Sequence, residues 1–318
     1  MSPTIPYLTA EELHSTLNYP ELVAALRQGF TKNYLVPPRM HLNYDHSPQK
    51  APNTILLMPA VKSGEDAGVK IITVVPENGR IGLPGIQGIY YLMDATTGSP
   101  KALLEARSLT NWRTAAASAL ASTYLSREES QRLLMVGTGS LAPYLIEAHA
   151  AVRPIRSLFI YGRNQEKVLK LAKQFSGQFQ QIEVVTDLAA AVPQADIISL
   201  ATFSPTPLIH GSWLRPGQHV DLVGSYQPDM READDEVISR GRVFVDDLEM
   251  APRESGDLAI PLATGIITMD DLQGDLFGLS QNKVQGRKTD EEITVFKSVG
   301  HALEDLVAAQ LVVKLMDL

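Results

Sequence analysis

The chain has 318 residues, 44% of them hydrophobic and 20% charged, which is long enough for two domains that each bury a sizeable core. Its 28 basic and 36 acidic residues leave a net charge of −8, so no global field draws it to nucleic acid or an anionic membrane. The absence of cysteine excludes disulfides, thiolate metal sites and a cysteine nucleophile, and a cytoplasmic protein fits best.

The first seven residues have neither a basic region nor an apolar one, so no signal peptide is expected. No apolar run approaches the ~20 residues of a membrane span. Thr9 and Glu12, three apart, read as the capping box of a first helix. A second helix over about 20–32 carries Leu22, Val23, Leu26 and Phe30 on one face. Pro37 and Pro38 keep 36–42 extended. Apolar runs at 54–59, 68–75, 89–94 and 101–105 are strands joined by turns, which predicts a mostly antiparallel sheet.

From residue 109 the texture changes to a helix of small residues reaching 125, and then to the stretch on which the chain turns. Residues 132–136 form a short apolar strand, followed by Gly137, Thr138, Gly139, Ser140, Leu141 and Ala142, with a second apolar run at 157–161. Strand, Gly-x-Gly-x-x-Ala turn, helix and parallel strand is the pattern of a Rossmann dinucleotide site. The glycines let a pyrophosphate reach backbone N–H groups at the helix N-terminus, and Pro143 suits the first helical turn. The second strand runs into Arg163 and Asn164 with no acid in reach to bind a ribose 2′-hydroxyl. A guanidinium there can pair with a 2′-phosphate, so NADPH is expected, with NADH possible.

The βα alternation continues with a helix over 166–175 and strands at 182–185, 196–202 and 219–223. A helix over 232–240 and a strand at 242–246 complete a doubly wound parallel sheet. Thr202, Ser204 and Gly224, at the ends of two of these strands, fall where a nicotinamide would rest. A last helix over about 291–315, with Phe296, Val299, Leu303, Leu306 and Val307 as its apolar face, is expected to return to the first domain. The expected division is therefore 1–114 with 291–318 as a smaller α+β domain, and 115–290 as the dinucleotide domain.

Three cations stand out in the first third. Arg39 follows a rigid pair of prolines, Lys70 interrupts an apolar strand, and Arg113 opens the small-residue helix with Thr114 beside it. A charge inside an apolar strand costs several kcal/mol unless something pairs with it. Each could also be a snorkelling or solvated side chain; together they form a plausible cradle for a substrate carboxylate. The histidines lack metal-ligand spacing, His41 and His46 included, and no metal is expected.

Five ordered motifs then resemble the ornithine cyclodeaminase/mu-crystallin family: LTxxRTAAAS at 109–118, VGTGxxA at 136–142, GSYQPDMRE at 224–232, ESGDL at 254–258 and GRKTDEEITVFKSVG at 286–300. The resemblance implies a homodimer built through the N-terminal domain and the final helix, around a central Rossmann domain. It implies that Arg39, Lys70 and Arg113 bind the substrate carboxylate, and it places Thr114 with the cofactor-binding residues. Cyclodeaminases of the family carry an Asp after the glycine equivalent to Gly224, whereas this chain has Ser225. A hydroxyl is a poor general base near neutral pH, which points away from deamination and toward the ketimine-reductase branch. The activity expected is NADPH-dependent reduction of Δ1-piperideine-2-carboxylate to L-pipecolate and of Δ1-pyrroline-2-carboxylate to L-proline. Amino-acid dehydrogenation, ornithine cyclodeamination and non-catalytic ligand binding are the alternatives. Glu77, Gln87 and Lys297 are not separable from surface or packing roles on this reading.

Overall fold

Thr9 starts the first helix as expected. In the computed structural model, which describes residues 4–44 and 52–318, its hydroxyl accepts from the Glu12 amide while the Glu12 carboxylate accepts from the Thr9 amide. His46 lies outside the described residues. By contacts the chain divides into two units, Met1–Thr114 with His301–Leu318, and Ala115–Gly300.

The first unit contains β1 (Tyr7–Leu8), α1 (Ala10–Thr16) and α2 (Tyr19–Gly29), then β2 (Met40–Tyr44), β3 (Asn53–Val61), β4 (Asp66–Val74), β5 (Ile86–Asp94) and β6 (Pro100–Glu105). The sheet order is β1-β6-β5-β4-β3-β2, with β1 parallel to β6 and the other neighbours antiparallel. α11 (Ala302–Leu315) packs on α2 and on β3, β4 and β5. Period-two alternation sends Gly68, Lys70 and Ile72 of β4, with Tyr90 and Leu92 of β5, to the buried side. Lys70 is thus no edge residue: it sits on a central strand and points inward.

α3 (Ala106–Leu125) begins where the Glu105 carboxylate accepts from the amides of Arg107 and Ser108, and the division between units falls within it. The second unit is a parallel sheet of β7 (Arg132–Val136), β8 (Ser157–Tyr161), β9 (Gln181–Val184), β10 (Ile197–Leu200), β11 (His219–Leu222), β12 (Arg242–Val245), β13 (Leu272–Asp275) and β14 (Thr294–Lys297). Their order is β13-β12-β14-β11-β10-β7-β8-β9. Between them run α4 (Ala142–Val152), α5 (Gln165–Gln174), α6 (Leu188–Ala191), α7 (Asp235–Arg240), α8 (Ala251–Glu254), α9 (Gly256–Ala263) and α10 (Leu276–Ser280). The near-continuous apolar runs suit strands covered on both faces. Among the polar exceptions, the buried Asp221 accepts from Ser199 at 2.7 Å and Ser118 at 3.0 Å, and lies 3.1 Å from His149 Nε2.

Two expected helices are shorter than the sequence suggests. Residues 291–301 do not join α11, because the apolar run at 294–297 is inserted as β14 between β11 and β12, and the His301 side chain then caps α11 at the Leu303 amide. Phe296 and Val299 therefore pack in the second unit. Residue 232 lies outside α7, which starts only after Asp234 caps the Val237 amide. Among the described residues no helix is long and apolar enough to cross a membrane.

Candidate active site

In the first unit Lys70 is 2% exposed, and its ammonium lies 2.8 Å and 3.0 Å from the two oxygens of Asp305. Arg113, 5% exposed, donates to Glu304 at 2.7 Å and to Asp305 at 3.0 Å. Both carboxylates are fully buried in the first turn of α11, where the helix dipole favours negative charge. Burial, then the positive charge of Arg113, pulls Lys70 down to about 8; Arg39 acts in the same direction while Asp305 opposes them. Burial works against the Arg113 charge too, but Asp305 and Glu304 more than offset it. Lys70 and Arg113 thus converge on the same pair of carboxylates, and Arg39 lies close enough to act on Lys70 through its charge, a cationic setting suited to a substrate carboxylate. Glu304 and Asp305 escaped the sequence reading because the helix was expected to start near 291, which left them as two charged residues in its middle.

In the second unit the chain order reverses between β7 and β10, which is where an open α/β sheet binds ligands at its strand ends. Gly137 has φ +118°, and a Cβ there would meet the Ala201 carbonyl at 2.6 Å. A Cβ on Gly139 would meet nothing within 4 Å; it would project into open space that a phosphate could otherwise use. α4 follows with Pro143 in its first turn, so unpaired N–H groups face the turn. A cavity of about 340 Å³ is lined by Gly137, Gly139, Arg163, Lys167, Thr202 and Ser204, among others. These residues fit a dinucleotide: a glycine cradle at one side and two cations at the end of β8. Lys167, one turn beyond Arg163, was missed, although its spacing from Arg163 at a helix start could have flagged it.

The remaining expected residues are placed less directly. Asn164 lines the same cavity, but its side chain caps α5 at the Lys167 amide. Ser140 is exposed and Leu141 half-buried, both in the turn before α4. Thr114 is buried on α3 and belongs to the first unit. The Thr202 amide and hydroxyl both donate to Glu232 at 2.7 Å. Gly224 does not line the cavity; it allows a close approach, since a Cβ would fall 2.1 Å from the Thr202 carbonyl oxygen. The Ser225 hydroxyl is buried, donating to the Met230 carbonyl at 2.6 Å and lying 2.8 Å from the Ser255 hydroxyl. That engages the serine in its own turn. Lys297 is fully buried beside Asp257 at 3.3 Å, while Glu77 pairs with Arg80 and Gln87 reaches the Pro84 carbonyl. Among the described residues no cluster of His, Asp and Glu could hold a metal ion.

The model of the ornithine cyclodeaminase/mu-crystallin family matches residues 6–316. The chain belongs to that family. A Δ1-pyrroline-2-carboxylate reductase of Colwellia psychrerythraea is 41% identical to it over 312 residues, covering 96% of this chain and 98% of the relative. Among solved structures, the Thermococcus litoralis Δ1-pyrroline-2-carboxylate reductase in complex with NADH and L-proline superposes with a TM-score of 0.91 at 31% identity, over 98% of this chain and 97% of that one. An archaeal alanine dehydrogenase dimer with bound NAD gives 0.88 at 27% identity, over 98% and 95%. In this chain the cations are not a bare cradle: two buried acids on α11 hold Lys70 and Arg113 in place.

Proposed function

We propose that this protein reduces cyclic ketimines, Δ1-pyrroline-2-carboxylate to L-proline and Δ1-piperideine-2-carboxylate to L-pipecolate, with a nicotinamide dinucleotide and a preference for NADPH. The observation that carries the reading is the convergence of the buried Lys70 and Arg113, with Arg39 acting on Lys70 through its charge, a group of cations suited to hold a monocarboxylate. The relatives named for pyrroline-2-carboxylate reduction support the same substrate class.

The cofactor, when bound, supplies the hydride that adds to the C=N carbon. The turn at Gly137 and Gly139 would take its pyrophosphate. Arg163 and Lys167, with no carboxylate among the cavity-lining residues, favour a 2′-phosphate; the two solved relatives carry NADH and NAD. The cations fix the carboxylate and so the position of the imine carbon, and fixed orientation of that kind can supply much of a rate enhancement. A ketimine protonated in solution brings the proton its nitrogen needs, so a general base is not required. Ser225, engaged within its turn, then serves to shape the strand end, which disfavours deamination of ornithine. The homodimer implied by the family resemblance is part of the same proposal.

The test follows nicotinamide absorbance with NADPH or NADH and each cyclic imine, with pyruvate plus ammonia and ornithine plus NAD as controls. NADPH-preferring oxidation with the imines is expected, and Arg163→Ser should erode that preference by about ten-fold, the loss of a charge-assisted contact. Ammonia release from ornithine without imine reduction would overturn the reading. Turnover with pyruvate and ammonia alone would move the protein to the amino-acid dehydrogenases.

A further inference from the structure

Glu232 is fully buried in the loop ahead of α7, yet its carboxylate is turned to the ends of β10 and β11. One oxygen accepts from the Thr202 amide and hydroxyl, both at 2.7 Å; the other accepts from the amides of Gly224 at 2.7 Å and Ser225 at 3.2 Å. The fit has no slack: a Cβ on Gly224 would come within 2.5 Å of Glu232 Oε1 and 2.2 Å of the Thr202 amide nitrogen. Behind it, Asp257 at the start of α9 accepts from the amides of Glu232 at 2.7 Å and Ala233 at 3.1 Å. Lys297, at the end of β14, closes the group at 3.3 Å from Asp257.

We propose that Glu232 is a positioning residue for the dinucleotide: its ionised carboxylate clamps the ends of β10 and β11 together, and so sets the cavity wall that Thr202, Phe203 and Ser204 present to the cofactor. The inference rests on the dinucleotide reading above. An ionised carboxylate can accept from all four donors at once. A protonated one carries an O–H that only the Thr202 hydroxyl can accept, by giving up its own donation, since the three N–H groups have no lone pair to offer, so the clamp loses a hydrogen bond and loosens. Burial pushes Glu232 up to about 7; the Lys297 charge opposes this, Asp257 adds to it, and the Thr202 hydrogen bonds oppose it. These are the charged groups that face it, Asp257 from α9 and Lys297 from β14, while β10 and β11 present N–H groups and a hydroxyl. With no exposed surface, Glu232 acts through Thr202 and not on the substrate.

The test measures NADPH and NADH binding without substrate, by nicotinamide fluorescence, over about pH 5.5 to 8.5, a range spanning the Glu232 titration. For the wild type, Kd should rise about ten-fold or more as pH falls through neutrality, the loss of one charged hydrogen bond or more. Glu232→Gln, whose NH2 must face at least one backbone N–H, should bind at every pH as weakly as the acidified wild type, with a flat profile. Lys297→Gln removes the cation that favours ionisation, so its profile should move to higher pH, and this decides the matter if Glu232→Gln does not fold. A pH-independent wild-type Kd, or a Glu232→Gln profile that keeps its slope, overturns the clamp. Imine turnover separates the two ideas. Reduction of imines with a flat Kd profile removes the clamp and keeps the activity; the sloping profile without imine reduction keeps the clamp and removes the activity.

Discussion

Lys70 carries the sharpest consequence at the scale of single residues. Its ordinary value is 10.5, and burial with the neighbouring Arg113 lowers it to about 8. The folded chain thus gives up this proton before the unfolded chain does. Between about pH 8 and 10.5 the unfolded state binds more protons, and the Lys70 contribution to stability rises with pH. Substrate binding should run the other way, because deprotonation would delete one of the three cations proposed to hold the carboxylate. The KM for the imine should therefore climb as pH rises through about 8. Lys70→Arg keeps its charge over that range, so its profile should lie flat even if its KM near neutrality is several-fold higher. A climb of equal size in both proteins would assign the effect to the imine's own titration and sink this account.

At the scale of elements, the glycine turn separates fold from function. Gly137 needs its positive φ and has the Ala201 carbonyl against it, so Gly137→Ala should cost on the order of 1–3 kcal/mol of stability. Gly139 meets no protein atom, and Gly139→Ala should melt like the wild type yet bind dinucleotide at least about ten-fold more weakly. Calorimetry and fluorescence titration on the same preparations check both; equal dinucleotide affinity in Gly139→Ala would place the pyrophosphate elsewhere. This turn was legible in the sequence because strand, glycine spacing and helix agree over a short window. β14 was not, since a four-residue apolar run followed by a real helix has no period of its own, and only pairing with β11 and β12 makes it a strand. Glu232 was read into a helix for a related reason: the acids that follow it resemble a helix start, and its true partners lie at residues 202 and 224. The cations were visible as anomalies in apolar surroundings. Their carboxylate partners on α11, 191 and 192 residues from Arg113 and 235 from Lys70, become recognisable only once α11 lies on β4.

At the scale of the whole molecule, the first unit leaves an apolar sheet face that calls for a partner. Its buried side carries Lys70, Tyr90 and Leu104, while the opposite side aligns Met40, Leu57, Ile71 and Ile89 in one row across four strands. Pro59, Val69, Tyr91 and Leu103 form a second row. Met40 is 53% exposed, with Leu42 at 46% and Tyr44 at 41% on the edge strand β2, and an edge strand of this kind invites pairing. The second copy proposed above would meet that need, because a two-fold axis would set the same apolar rows against each other. The wild type should elute at the dimer mass at micromolar concentration. Ile71→Asp points a carboxylate out of the sheet, so it spares the unit's own core but places a charge in the contact twice. Each buried, unpaired carboxylate costs several kcal/mol, enough to return the protein to monomers. Light scattering on a sizing column reads the mass, and the thermal melt shows whether the fold survives. A dimer that persists in Ile71→Asp would move the interface off this face, and a wild type that elutes as a monomer would leave the rows without the partner argued for them.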